Sequence, residues 1–193
     1  MKEQEVLSLF QEIGVIKNGH FKLSSGRHSD VYLQCAILQQ YPELNAKVMQ
    51  GIADSVKSFQ PTVIVGAAVG GITASYELAR QTGARSIFAE RVEGTLKLRR
   101  GFELVPEDRV IVVEDVVTTA KTTIELIDLV KLFKLEPKAI GAIVDRRATQ
   151  TGIDYPFFSC VKVAAQTWTE EECSLCKKKA PIDEPGSRRL SKK

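Results

Sequence analysis

Residues 110–123 read VIVVEDVVTTAKTT, and this stretch decides the fold. Its first four residues are all apolar and β-branched, a density that suits a strand buried on both faces rather than one with a wet side. The strand runs directly into two adjacent carboxylates, Glu114 and Asp115, and then into a turn carrying the hydroxyls of Thr118, Thr119, Thr122 and Thr123. The following IELIDLVKLFKL spaces its polar residues Glu125, Asp128, Lys131 and Lys134 every third position, as on an amphipathic helix. A helix start leaves backbone N–H groups without partners and carries the positive end of the helix dipole, so an anion settles there and threonine hydroxyls add donors. Carboxylates beside that anion make sense where they accept bonds from sugar hydroxyls or help to hold a cation. The stretch reads as a sugar-phosphate site, against the plainer alternative of a strand–turn–helix with a solvated acidic tip.

Upstream, TVIVGAAVGGITASYELAR repeats the logic with a β-branched strand, a small-residue loop at 66–71 and a helix. It fits neither GxGxxG nor GxxxxGK[ST], which removes the best candidate for a dinucleotide or Walker-type site. Two anion loops imply a ligand with two phosphate-bearing ends, a monophosphate at 118–122 and a diphosphate at 66–71, where Ala67, Ala68 and Gly70 line the backbone.

Strands expected near 63, 86, 110, 140 and 158, alternating with helices, predict an α/β fold with a doubly wound, mostly parallel sheet spanning residues 62–165. The segment after the strand near 140 ends in Asp145, Arg146 and Arg147, at the edge where open α/β sheets bind ligands. The helical pattern of residues 2–16 and the hairpin pattern GHFKLSSGRHSDVYLQC predict a small hood over residues 1–40. Residues 91–101, with Arg91, Lys97, Arg99 and Arg100, read as a mobile flap or a two-stranded ribbon whose cations close over the diphosphate. Residues 167–193 look irregular and basic.

The chain has 193 residues, 44% apolar and 26% charged, which fits one globular domain. It shows no membrane-length apolar run and no leader pattern, so a cytoplasmic protein is expected. The net charge of +3 is misleading: seven Lys or Arg fall after residue 176, and residues 1–176 hold 20 basic against 22 acidic side chains. A nucleic-acid-binding body is therefore not expected. Of four cysteines, Cys173 and Cys176 form a single CxxC pair, and His20 and His28 lie far off in sequence. The expectation is two reduced thiols and no metal ligands.

The run VVEDVVTTAKTT resembles the ribose-phosphate signature of type I phosphoribosyltransferases. Taken with GHFKLSSGRHSDVYLQ, AERVEGTLKLRRGF, the Asp145–Arg146 pair, WTEEECSLC and PGSR, it is similar to the orotate phosphoribosyltransferase family over almost the whole chain. The resemblance implies transfer of phosphoribosyl from 5-phosphoribosyl 1-diphosphate to orotate in pyrimidine (UMP) synthesis, with Mg²⁺ as cofactor. It implies a homodimer whose flap reaches the neighbouring site. Glu114 and Asp115 would face the ribose, and the loop of Val116, Val117, Thr118, Thr119, Ala120, Lys121 and Thr122 would wrap the 5′-phosphate. Arg146 would take the orotate carboxylate, with Ser24 and Tyr32 over the base. Arg91 and then Lys97 are the leading flap cations. Many relatives carry two glycines where this chain has Ala120-Lys121, so a positive φ at either position would be strained. The weighed alternatives are a purine phosphoribosyltransferase and a regulator that binds phosphoribosyl diphosphate without turning it over.

Overall fold

The computed structural model describes residues 1–23, 25–147, 151–164 and 166–185. Helix α1 (Glu3–Glu12) leads into the antiparallel pair β1 (Ile16–Lys22) and β2 (His28–Leu33), then the short α2 (Ala36–Gln39) and α3 (Pro42–Val56). Proline at its first position suits the start of α3, where the missing N–H has no helical partner anyway, and its buried face repeats at Asn45, Val48, Met49, Ile52 and Val56. The repeating units follow: β3 (Val63–Ala67), α4 (Gly70–Thr82), β4 (Arg85–Val92), β5 (Thr95–Leu98), β6 (Val110–Val117), α5 (Lys121–Leu132), β7 (Ala139–Asp145) and β8 (Phe157–Lys162). Strand β9 (Thr167–Trp168) and α6 (Ser174–Lys177) close the described chain.

Six strands form one sheet in the order β5-β4-β3-β6-β7-β8, parallel throughout except where β5 folds back antiparallel on β4. All five expected strands are present. The chain builds outward from β3 to β4 and β5, then returns to the other side of β3 as β6. The β3–β6 boundary is thus the point where winding reverses, and loops leaving the two carboxyl ends open a crevice there.

Strand alternation explains why β6 needs apolar residues on both faces. Ile111 and Val113 enter one core with α1, α3 and α4, while Val110 and Val112 enter the other with α5. Each such fully buried branched side chain is worth about 1.5–3 kcal/mol. Among the described residues no helix is long and apolar enough to cross a membrane.

Two expectations change, and of the two readings offered for residues 91–101 the ribbon is the one formed. Helix α1 does not belong to the hood: Val6 and Phe10 are buried in the main core, and Glu3 Oε1 accepts the N–H of Lys162 in β8 at 2.7 Å. The flap segment is a ribbon, with Glu90 opposite Lys97 and Val92 opposite Thr95. The stretch after residue 166, expected to be irregular, supplies the third strand of the hood sheet, order β1-β2-β9. Its short pairing carried too little periodicity to be read. Asp183 continues the attachment, accepting Lys22 N–H at its carbonyl and donating its own N–H to the His20 carbonyl, both at 2.8 Å.

A chain truncated after Glu170 loses α6 and both Asp183 bonds. Amide hydrogen exchange in residues 16–33 should accelerate while β3, β6 and β7 stay protected; unchanged exchange in the hairpin would contradict this role of the C-terminal segment.

Candidate active site

The alternation that fills both cores continues into the acidic tip and sends its two carboxylates in different directions. Glu114 turns toward α5, where Thr123 Oγ1 donates to Glu114 Oε1 at 2.7 Å. Asp115 turns toward α4, lying so close to Gly70 that a Cβ built there would sit 2.1 Å from Asp115 Oδ2. Glycine at 70 is a condition for that approach. The same loop is closed by a second tight contact, since a Cβ on Gly66 would meet the Gly71 carbonyl at 2.2 Å. The Ala68–Val69 peptide is cis, and Gln39 of α2 donates to the Gly70 carbonyl at 2.9 Å. Ala67, Ala68 and Gly70 therefore form one short turn that touches the acidic tip.

After β6, residues 116–123 and Glu114 surround a cavity of about 40 Å³ at the start of α5. A space well above the ~10–15 Å³ that one water needs suits a small oxyanion. Thr118 and Thr119 are exposed, Thr122 is half-buried and Lys121 is the first helical residue. Ala120 has φ 60° and ψ 12°, so the substitution noted in the sequence does fall on a left-handed position, at a cost of about 1–2 kcal/mol. Its methyl is 3% exposed and packs with Val117 and Ala142, which offsets part of that cost. Lys121 carries no such strain.

Burial raises Glu114 from its ordinary 4.5 to about 7, the Thr123 hydrogen bond opposing and the charges of Asp115 and Glu125 adding to the rise. Burial also raises Asp115, against the pull of the Val116 N–H on its carboxylate. An acidic tip held part-protonated near neutrality is primed for a ligand that supplies donors or positive charge.

Arg146 sits at the end of β7 and reaches the hood, donating to Ser29 Oγ at 2.8 Å and to the Val31 carbonyl at 3.4 Å. Burial lowers its pKa, with Asp30 acting the other way. Tyr32 of the hood is half-buried and packs 5.6 Å from the Phe21 ring. Ser24 lies outside the described residues. The two flap cations differ: Arg91 is tied to Glu125 of α5 and to the Gly94 carbonyl, whereas Lys97 is exposed and makes no ion pair among the described residues.

Sequence reasoning missed Ser29, Gln39 and Thr123 as site residues. Thr123 was readable as a loop hydroxyl, but its aim at Glu114 follows from strand alternation plus one helical turn. Nothing local marks Ser29 or Gln39. His20 and His28, far off in sequence, are brought by the hairpin to Cys173 and Cys176, with one potential ligand atom from each of the four lying within 4.8 Å of the others.

The family model described as phosphoribosyl transferase domain matches residues 35–176. The orotate phosphoribosyltransferase of Thermoanaerobacter sp. is 47% identical over 98% of this chain and all of its own length, and that of Caldicellulosiruptor saccharolyticus 43% over the same shares. The crystal structure of orotate phosphoribosyltransferase from Aeropyrum pernix superposes with a TM-score of 0.66 at 20% identity, covering 82% of this chain and 93% of that one.

Because the Glu114 carboxyl has its pKa raised by folding, its contribution to stability is full below pH 4.5 and is lost as pH rises to about 7, a change of about 3 kcal/mol. Glu114→Gln should be more stable than the parent above pH 7 and lack that part of the decline in urea unfolding between pH 5 and 8; parallel curves would refute the assignment.

Proposed function

We propose a reaction on the premise that this chain belongs to the phosphoribosyl transferase family, in its orotate phosphoribosyltransferase branch: it transfers the 5-phosphoribosyl group of 5-phosphoribosyl 1-diphosphate to orotate, forming orotidine 5′-monophosphate and diphosphate in pyrimidine synthesis. The observation that carries the reading is the meeting of two helix-start loops at one acidic tip, through the contact of Asp115 with Gly70. One loop suits the 5′-phosphate and the other the diphosphate, which leaves the ribose between them, over Glu114 and Asp115.

No side chain here acts as a covalent nucleophile. A ring nitrogen of orotate attacks the anomeric carbon as diphosphate departs, so positive charge develops on the ribose and negative charge on the leaving group. Asp115 and Glu114 favour the first charge when ionised, and the N–H groups of the loop at 66–71 with Lys97 favour the second. Ribose hydroxyls donating to Glu114 would replace part of the hydration it lacks. Lys97 is the better-placed flap cation, because Arg91 must first release Glu125. The planar fork of Arg146 suits the orotate carboxylate, and the Ser29 bond presents it from the hood.

Mg²⁺ fits this donor set. Glu114 and Asp115 diverge toward α5 and α4, so the protein offers Asp115 alone rather than a cage, and Mg²⁺ commonly binds one carboxylate with substrate phosphates and waters. Bound there with the diphosphate, it would neutralise leaving-group charge. A homodimer with a shared ribbon agrees with the exposed apolar side chains Val69 and Tyr76 on and beside α4.

Arg146→Ala should raise KM for orotate by about tenfold or more, from the loss of a charge-assisted bond of about 1.5–3 kcal/mol, with little change in KM for phosphoribosyl diphosphate. Steady-state assays with orotate, hypoxanthine, xanthine and adenine decide the reading; turnover with a purine alone, or equal loss for both substrates in the variant, would overturn it.

A further inference from the structure

The structure assigns a function to the four side chains left outside the reaction: we propose that His20, His28, Cys173 and Cys176 bind a structural Zn²⁺ that clamps the C-terminal segment onto the hood. Their ligand atoms come from β1, the start of β2, the residue that precedes α6 and α6 itself, and all lie within 4.8 Å of one another. His20, His28 and Cys173 are buried at 6%, 2% and 0% exposure, and all four cysteines of the chain are free thiols.

Four of the six edges match a metal tetrahedron. With Zn–S about 2.3 Å and Zn–N about 2.0–2.1 Å, tetrahedral N···S edges are about 3.5 Å and the N···N edge about 3.3 Å. Here His20 Nε2 lies 3.4 Å from Cys173 Sγ and 3.6 Å from Cys176 Sγ, while His28 Nδ1 lies 3.2 Å from Cys176 Sγ. The two imidazole nitrogens are 3.1 Å apart.

Hydrogen bonding alone does not account for this convergence. His20 Nδ1 lies 3.0 Å from the Ala180 carbonyl, an acceptor only, so Nδ1 carries a proton and Nε2 is the ring nitrogen left to act as a ligand. Two sulfurs and a second imidazole nitrogen face that one nitrogen, which can make one good hydrogen bond. A cation satisfies every group at once, and the Nδ1–H to carbonyl bond is the usual outer partner that orients a metal-bound histidine. Two thiolates and two neutral imidazoles around Zn²⁺ sum to zero charge, so the buried site carries no net ionic penalty. Soft sulfur with imidazole in a closed, four-ligand set selects Zn²⁺ over Mg²⁺ or Ca²⁺.

The consequence is mechanical. His28 precedes Ser29, which holds Arg146, and Ala180 and Asp183 bond back to His20, so one ion fixes β1, β2 and the C-terminal segment together. The metal site itself stands independently of which reaction the enzyme performs.

The test uses the full-length chain without a histidine tag, reduced and stripped by a chelator. Titration with Co²⁺ should give the visible ligand-field bands of tetrahedral, thiolate-bound cobalt at about one equivalent, bleached by one equivalent of Zn²⁺. Cys173→Ser with Cys176→Ser should abolish the bands, and His20→Gln should weaken binding by more than about a hundredfold. Zn²⁺ added to the stripped wild-type chain should raise its melting temperature, a readout that needs no folded variant. Absence of the bands, bands retained in the double-cysteine variant, no thermal response to Zn²⁺, or a Cys173–Cys176 disulfide persisting under reducing conditions would each overturn the proposal.

Discussion

The close approach of Asp115 to Gly70 is the constraint on which the site depends. It joins the ends of β3 and β6, two neighbouring strands whose following loops lead into α4 and α5. Any side chain at 70 would move the carboxylate. Because β6 alternates between two cores, the residue before Asp115 is committed to the opposite face, where Thr123 receives it. A single strand thus hands one carboxylate to each helix start, and the spacing between the two loops follows from strand geometry rather than from any contact between the loops themselves.

This arrangement has an electrostatic cost. Two adjacent carboxylates are removed from water, and burial raises both pKa values, Glu114 to about 7. The free protein therefore holds an unfavourable interaction at its acidic tip, which, in the proposed reading, a sugar phosphate would relieve by bringing hydroxyl donors and an accompanying cation. Ala120 adds a smaller strain at φ 60°, at the turn where the loop after β6 becomes α5. The hood acts from the other side: Ser29 receives Arg146, and the hairpin that carries Ser29 is held by the C-terminal segment.

The sheet was legible because its buried central strands β3, β6 and β7 leave dense apolar runs, and the five expected strands all fall where strands occur. The two loops and the acidic tip were legible for the same reason, since each follows such a run. Short antiparallel pairings leave weaker traces, which is why β9 passed for irregular tail. Residues brought together across the chain leave no local trace at all: His20 and Cys173 stand 153 positions apart, and the pairing of Arg146 with Ser29 spans 117. The helix α1 was correctly read as a helix but assigned to the wrong partner, because its apolar stripe says that something is buried and not against what.

In the proposed reading, the glycine at 70 seats the Asp115 carboxylate between the two loops. The most direct measurement is the rate of orotidine 5′-monophosphate formation by Gly70→Ala, alongside its melting temperature. The displaced atom is the tip of a side chain, so the fold should melt where the parent does, while turnover falls about a hundredfold from misplacement of the carboxylate. A Gly70→Ala enzyme that folds normally and turns over at the parental rate would contradict this role of Gly70.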